Sequence, residues 1–254
     1  MRFSHLIVVG LGGTGSIVAE PLVRLLAYHK DGTRKVIFID GDKFEEKNLE
    51  RQLFPKALVG SNKAKVAADR VSSICDVRAI PNFINRESFL AELMSEEGLV
   101  KGCPLIILSV DNHATRKAVI AALDEAPIKD FVLVMPGNEL DYGRCEVYLK
   151  SGGEVLGSHP FDVHDVIKNP TDRIPGGCAA EAPSTPQLVT ANFGAAYTVM
   201  LTVQGLLDDR SWYLETYFNC RTFKVLGGGQ PFCRQAPKEN VEHPEEVEVG
   251  QVHD

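Results

Sequence analysis

The sequence has no Cys-x-x-Cys pair: its six cysteines stand at 75, 103, 145, 178, 220 and 233. A zinc ion held by four paired cysteines is therefore not expected. No charged, apolar leader precedes the first hydrophobic run, so the expected compartment is a reducing cytoplasm. An excess of positive charge is also missing, because the formal net charge is −7. Residues 238–254 hold six acids and one lysine, which is −5 and leaves −2 for the rest. A nearly neutral body does not suit nucleic-acid binding, and the acidic remainder reads as a disordered tail. One stretch has the length of a membrane span, "LVTANFGAAYTVMLTVQGLL" at 188–207. Its Asn192, Gln204 and three threonines make it a buried helix rich in small residues, so no membrane association is expected. There is no internal repeat.

What is present is an alternation of short apolar runs with amphipathic stretches. Residues 5–9, 35–40, 104–110 and 130–135 read as strands, and 13–28, 61–74 and 112–125 as helices. Such βαβ units imply an α/β fold of the Rossmann-like type, with a mainly parallel sheet and helices on both faces. From 136 the pattern changes to "PGNELDYGRCEVYLKSGG", which predicts antiparallel strands added in the C-terminal half. Residues 151–186 are rich in Gly, Pro, Asp and His and lack periodicity, as a functional or mobile loop would. "WYLETYFNCRTFKVLGGG" reads as a hairpin-like pair. The expected organisation is one domain over 1–237, with 136–186 forming an edge strand and a long covering loop.

The loop "GLGGTG" follows the first strand directly. Gly10 permits a tight turn, Gly12 lets the backbone approach a phosphate, and Gly15 lets the helix pack on the strand; Gly13 is counted with them as a nucleotide-binding residue. The helix N-terminus supplies N–H groups for an anion. Asp40, ending "KVIFID", stands where an acid accepts from a ribose hydroxyl pair. This constellation serves both NAD enzymes and ATP users. "FIDGDKFEEKNLERQLF" then adds Asp42, Asn48, Arg51 and Gln52, and "GSNKAK" adds Lys63. Several fixed cations suit a triphosphate with a reacting α-phosphorus better than a dinucleotide, which favours ATP. In "LSVDNHATR", Asp111 reads either as a helix N-cap or as a Mg²⁺ ligand, with Asn112 opening the helix. Convergence with Asp40, Arg51 and Lys63 favours the metal role.

These four motifs, in this order and spacing, resemble the ThiF-type and ubiquitin-activating-enzyme superfamily. The sequence is most similar to short bacterial members of the PRTRC type, encoded beside ubiquitin-like, conjugating-enzyme-like and deconjugating-protease-like partners. The resemblance implies ATP-dependent adenylation of the C-terminal carboxylate of a small ubiquitin-like or sulfur-carrier protein ending in glycine. By position it makes Asp40 the ribose ligand, Asn48, Arg51 and Lys63 triphosphate contacts, and Asp111 the Mg²⁺ ligand, with Gln52 supporting the loop. It also implies a homodimer and a conjugating-enzyme-like partner. Relatives usually carry an N-terminal arginine-bearing helix and two Cys-x-x-Cys pairs. Here Arg2 alone precedes the first strand, so that arginine is expected to be missing, replaced or supplied by another chain.

"RIPGGCAAEAPSTPQ" places Cys178 where relatives carry a crossover loop and, in ubiquitin-activating enzymes, the acceptor cysteine. A loop thiolate could take the activated carboxylate, with His159 or His164 helping to ionise it; an inert, packed cysteine is the alternative. Cys145 and Cys220 fall in expected strands and should be buried. Cys75 and Cys103 read as structural, Cys233 as exposed ahead of the tail, and His5 and His29 as packing residues. Two other functions stay open. An NAD(P)-dependent oxidoreductase would leave "NLERQ" and Lys63 unexplained, and a non-catalytic scaffold of the same superfamily would not need the retained Arg51, Lys63 and Asp111.

Overall fold

The computed structural model describes residues 1–29, 35–50, 52–175, 188–208 and 212–228. At its centre is β1 (Leu6–Val9), four apolar residues without an exposed member. A strand covered on both faces needs apolar side chains throughout, not alternation. In register on one side of it lies β2 (Lys35–Ile39), followed by β3 (Asp76–Ile80). On the other side lie β4 (Leu105–Leu108) and then β5 (Phe131–Asn138). These five strands are parallel. The sheet continues antiparallel through β6 (Tyr142–Ser151), β8 (Glu215–Asn219) and β9 (Lys224–Gly228), with β7 (Glu154–Leu156) paired to β6.

Helices α1 (Gly13–Tyr28), α2 (Lys63–Val71) and α8 (Val189–Leu207) cover one face; α3 (Arg86–Met94), α4 (Glu97–Val100), α5 (His113–Glu125) and α7 (Asp165–Lys168) cover the other. α8 buries Ala191, Ala195, Ala196, Val199, Val203 and Leu206 against the core. No helix among the described residues is long and apolar enough to cross a membrane. The strand order β3-β2-β1-β4-β5 reverses direction between β1 and β4. Ligands of open α/β sheets bind at that crevice, beyond the carboxyl ends of the strands. The glycine loop leaves β1 there, and Asp111 follows β4.

The structure departs from the sequence reading at several points; β6, expected at the sheet edge, is paired on both sides, with β5 and β8. Residues 76–100 form β3, α3 and α4, none of which was expected. β3 is an edge strand whose Asp76 and Arg78 interrupt its apolar pattern. The stretch read as a long unperiodic loop contains β7, α6 (Pro160–Val163) and α7, so its described part is pinned. His159 bonds Asp124 at 3.0 Å, His164 pairs with Glu146 at 2.8 Å, and Asp172 accepts from the His113 N–H at 2.7 Å. Cys220 lies just past β8 and is part-buried, not inside a strand, with Sγ 3.5 Å from the Thr190 carbonyl. Cys145 is buried in β6 as expected. The acidic tail, Cys178, Cys233 and Arg51 lie outside the described residues.

Candidate functional site

Gly10 has φ +86°, and a Cβ there would lie 2.9 Å from the Ser109 carbonyl oxygen. Both facts require glycine at the turn out of β1. Gly15 is needed for packing, since a Cβ would come 2.0 Å from the Gly10 carbonyl oxygen. Gly12 differs: its nearest described neighbour is Gln52 Nε2, 3.8 Å from an added Cβ. Backbone is thus open to an approaching group at Gly12. No side chain among the described residues caps α1, so its first-turn N–H groups and the positive end of its dipole face that opening. α5 is the contrast. Its first N–H groups are taken by Asp172, at 2.7 and 2.8 Å, and by the N-cap Asn112, whose Oδ1 accepts from the Thr115 N–H at 2.7 Å. Of these two helix N-termini at the crevice, α1 is the one prepared for an anion.

At Gly13 the constraint comes from packing: a Cβ there would lie 2.4 Å from Asn192 Nδ2 of α8, so the α8 side chain requires glycine at this position.

Around the opening, Asp40 is buried and accepts from the Leu11 N–H at 2.6 Å and the Asp42 N–H at 2.8 Å. Burial pushes its carboxyl above the ordinary carboxylate value, while Lys63 and the two backbone donors oppose the shift. Each carboxylate oxygen retains acceptor capacity, which suits a ribose hydroxyl pair. Lys63, at the first position of α2, is 5% exposed and donates to Asp42 Oδ2 at 3.1 Å. Asn62, which sequence reasoning did not single out, binds the Asp40 and Asp42 carbonyls through Nδ2, at 2.8 and 2.9 Å, and caps α2 through Oδ1.

Asn48 is buried in the 3-10 turn Glu46–Glu50, where Oδ1 accepts from the Glu45 N–H at 3.1 Å. It shapes the loop that presents Gln52. Gln52 is buried, with Nε2 toward Gly12 and Oε1 without a hydrogen-bond partner among the described residues. An orphaned buried acceptor is costly, and its position over the glycine loop fits a site completed by a ligand.

Asp111 is exposed between β4 and α5. The cap of α5 is Asn112, which corrects the alternative that made Asp111 the cap. An exposed carboxylate without capping duty, beside the glycine loop, fits the carboxylate part of the ligand set that Mg²⁺ takes with phosphates. Among the described residues there is no group of three or more His, Cys, Asp or Glu placed to hold a metal ion.

The sequence reading also missed Phe83. Its ring lies where a Cβ at Gly41 would meet it at 2.6 Å, next to Asp40, and it remains partly exposed. It follows the unrecognised β3, which is why it carried no signal.

Compared with known proteins, the chain is 29% identical over 270 residues to a protein of Drosophila virilis named ubiquitin-like modifier-activating enzyme 5, matching all of this chain and 65% of that protein's length. In fold it is similar to PaaA (TM-score 0.59, 20% identity, 87% of this chain and 62% of that one). It is also similar to E. coli MccB solved with ATP (TM-score 0.58, 19% identity, 91% of this chain and 64% of that one). The chain thus spans less than two thirds of each of these proteins. The model of the ThiF family matches residues 1–130, which contain β1 to α5 and every residue of the glycine loop, and the chain belongs to that family.

Proposed function

We propose that this chain adenylates the C-terminal carboxylate of a small ubiquitin-like or sulfur-carrier protein ending in glycine, using ATP. The observation that carries the reading is the uncapped N-terminus of α1, opening at Gly12 among Asp40, Gln52 and Lys63. Asp40 takes the ribose. The α1 N–H groups, Lys63 and Asn48, with Arg51 beyond the described residues, take the triphosphate, and Asn112 borders it. Asp42 holds the Lys63 ammonium in place. Asp111 would hold Mg²⁺, which would supply charge neutralisation at the triphosphate.

In the reaction a carboxylate oxygen attacks the α-phosphorus, and the bond from that phosphorus to the β-phosphate oxygen breaks. The products are an acyl adenylate and pyrophosphate, without net proton transfer. Catalysis then rests on positioning and charge stabilisation, not on a protein nucleophile. A thiolate at Cys178 would next attack the acyl carbon and expel AMP, giving a thioester for a conjugating-enzyme-like partner.

Two further assignments belong to this reading. The exposed residues Phe193, Tyr197 and Leu201, at 47, 54 and 43% exposure, form an apolar stripe on α8, and we assign it to a homodimer contact. The described cysteines are free, as a cytoplasmic enzyme's would be.

The test is mass spectrometry of a ubiquitin-like protein ending in glycine after incubation with ATP, Mg²⁺ and the Cys178→Ala form of this chain, in which the adenylate is not passed on. A gain of one AMP, lost with Asp111→Ala, is the expected result. An unmodified partner beside a chain that still binds ATP would favour the non-catalytic scaffold.

A further inference from the structure

One polar residue is out of keeping with its surroundings. Asn192 is fully buried between Ala191, Ala195 and Ala196, on a helix without a single charged residue. A buried carboxamide is costly unless its hydrogen bonds are made, and here they are made to the glycine loop and to the end of β5. Its Oδ1 accepts from Asn138 Nδ2 at 3.2 Å and lies 3.5 Å from Thr14 Oγ1. The Thr14 hydroxyl proton is shared with Asn138 Oδ1 at 3.4 Å. Three elements therefore meet at one amide: the first turn of α1, the carboxyl end of β5 and the first turn of α8. An aliphatic side chain would fill the same space, but it would orient neither Thr14 nor Asn138.

The location gives this arrangement a use. The sheet order places Asp40, at the end of β2, on one flank of the glycine loop, and Asn138, at the end of β5, on the other. Under the adenylation reading the ribose lies on the Asp40 flank, which leaves the Asn138 flank for an incoming acyl group. Asn138 is part-buried and its backbone is fixed by pairing with Gly143 of β6. Its amide is aimed by Asn192 and Thr14.

We propose that Asn138 and Asn192 position the carboxylate-bearing end of the acyl substrate against the phosphate loop, with Asn138 facing the substrate and Asn192 acting through Asn138 and Thr14. The inference rests on the adenylation reading and goes beyond it by separating acyl-substrate recognition from nucleotide recognition.

The experiment measures two quantities for wild type, Asn138→Ala and Asn192→Ala. One is kcat/KM for the acyl substrate in ATP–pyrophosphate exchange, with a ubiquitin-like protein ending in glycine as the probe. The other is Kd for ATP without that protein. Asn138→Ala sits at a strand end and keeps the core intact, so it serves if Asn192→Ala folds poorly. Both variants should lose about tenfold or more in kcat/KM for the probe, and in Asn138→Ala the ATP Kd should change by less than about threefold. A merely structural role predicts a different split, with both quantities falling together or neither falling in Asn138→Ala, and either result overturns the inference. Wild type that binds ATP without probe-dependent exchange overturns the adenylation reading itself, and this inference with it.

Discussion

At the scale of single residues, Lys63 separates a triphosphate site from a structural ion pair. Its ammonium is almost fully buried and is directed by Asp42. Under the adenylation reading, replacing it by alanine removes a charge-assisted contact to phosphate, worth ~1.5–3 kcal/mol. ATP affinity measured by calorimetry should fall by about 10- to 100-fold; a change below about twofold would contradict the assignment. The thiols divide in a similar way. Burial pushes the Cys103 and Cys145 thiols up to about 12, so neither is a thiolate near neutrality and neither can accept an acyl group. Alkylation of the folded protein at mildly alkaline pH should leave both unlabelled in a peptide map and label Cys178 if that residue is the acceptor. Rapid labelling of Cys145 in the folded state would contradict this.

At the scale of elements, the glycine loop offers two substitutions with opposite expected outcomes. Gly15→Ala drives a Cβ into the Gly10 carbonyl oxygen at 2.0 Å, where backbone must move. Stability in urea should fall by about 3 kcal/mol. Gly12→Ala meets nothing closer than 3.8 Å among the described residues, so stability should stay within about 0.5 kcal/mol while ATP binding weakens. Equal destabilisation by the two would show that the opening at Gly12 is not there.

The same loop shows what was legible in the sequence. The apolar run of β1, the glycines at 10 and 15 and the acid at 40 follow from local steric and dipole rules, and the structure brings them together at the switch point. The packing of Gly13 against Asn192 was not legible, because Asn192 comes from 179 positions further along the chain and no local pattern encodes that contact. β3 escaped because edge strands tolerate charge, and Phe83 escaped with it. Asp172 could not be read as a capping group for α5, because the cap is supplied across 59 residues of sequence.

At the scale of the whole molecule, pH should act through the buried His5 and the half-buried His113. His5 and His113 are both held below the ordinary value of 6.5, first by burial. In His5, Nε2 engages Glu96 at 3.2 Å and Nδ1 is buried without a hydrogen-bond partner among the described residues. Protonation there would bury an unpaired cationic N–H. The unfolded chain takes up these protons near 6.5, whereas the folded chain resists until lower pH. Stability is therefore full above 6.5 and is lost as pH falls through the folded values. Melting temperature should drop between about pH 7 and pH 5, and His5→Gln should flatten part of that slope. An unchanged melting temperature across the interval would contradict the burial argument. The apolar stripe of α8 predicts a dimer in solution by light scattering, converted to monomer by Tyr197→Glu.

The central claim is that the opening at Gly12 holds ATP for attack by a carboxylate. ATP–pyrophosphate exchange tests it most directly, run with Mg²⁺ and a ubiquitin-like protein ending in glycine. The expected exchange requires that protein, is abolished by Asp111→Ala and persists in Cys178→Ala. Exchange that is absent with several such proteins, or that survives Asp111→Ala, would contradict it.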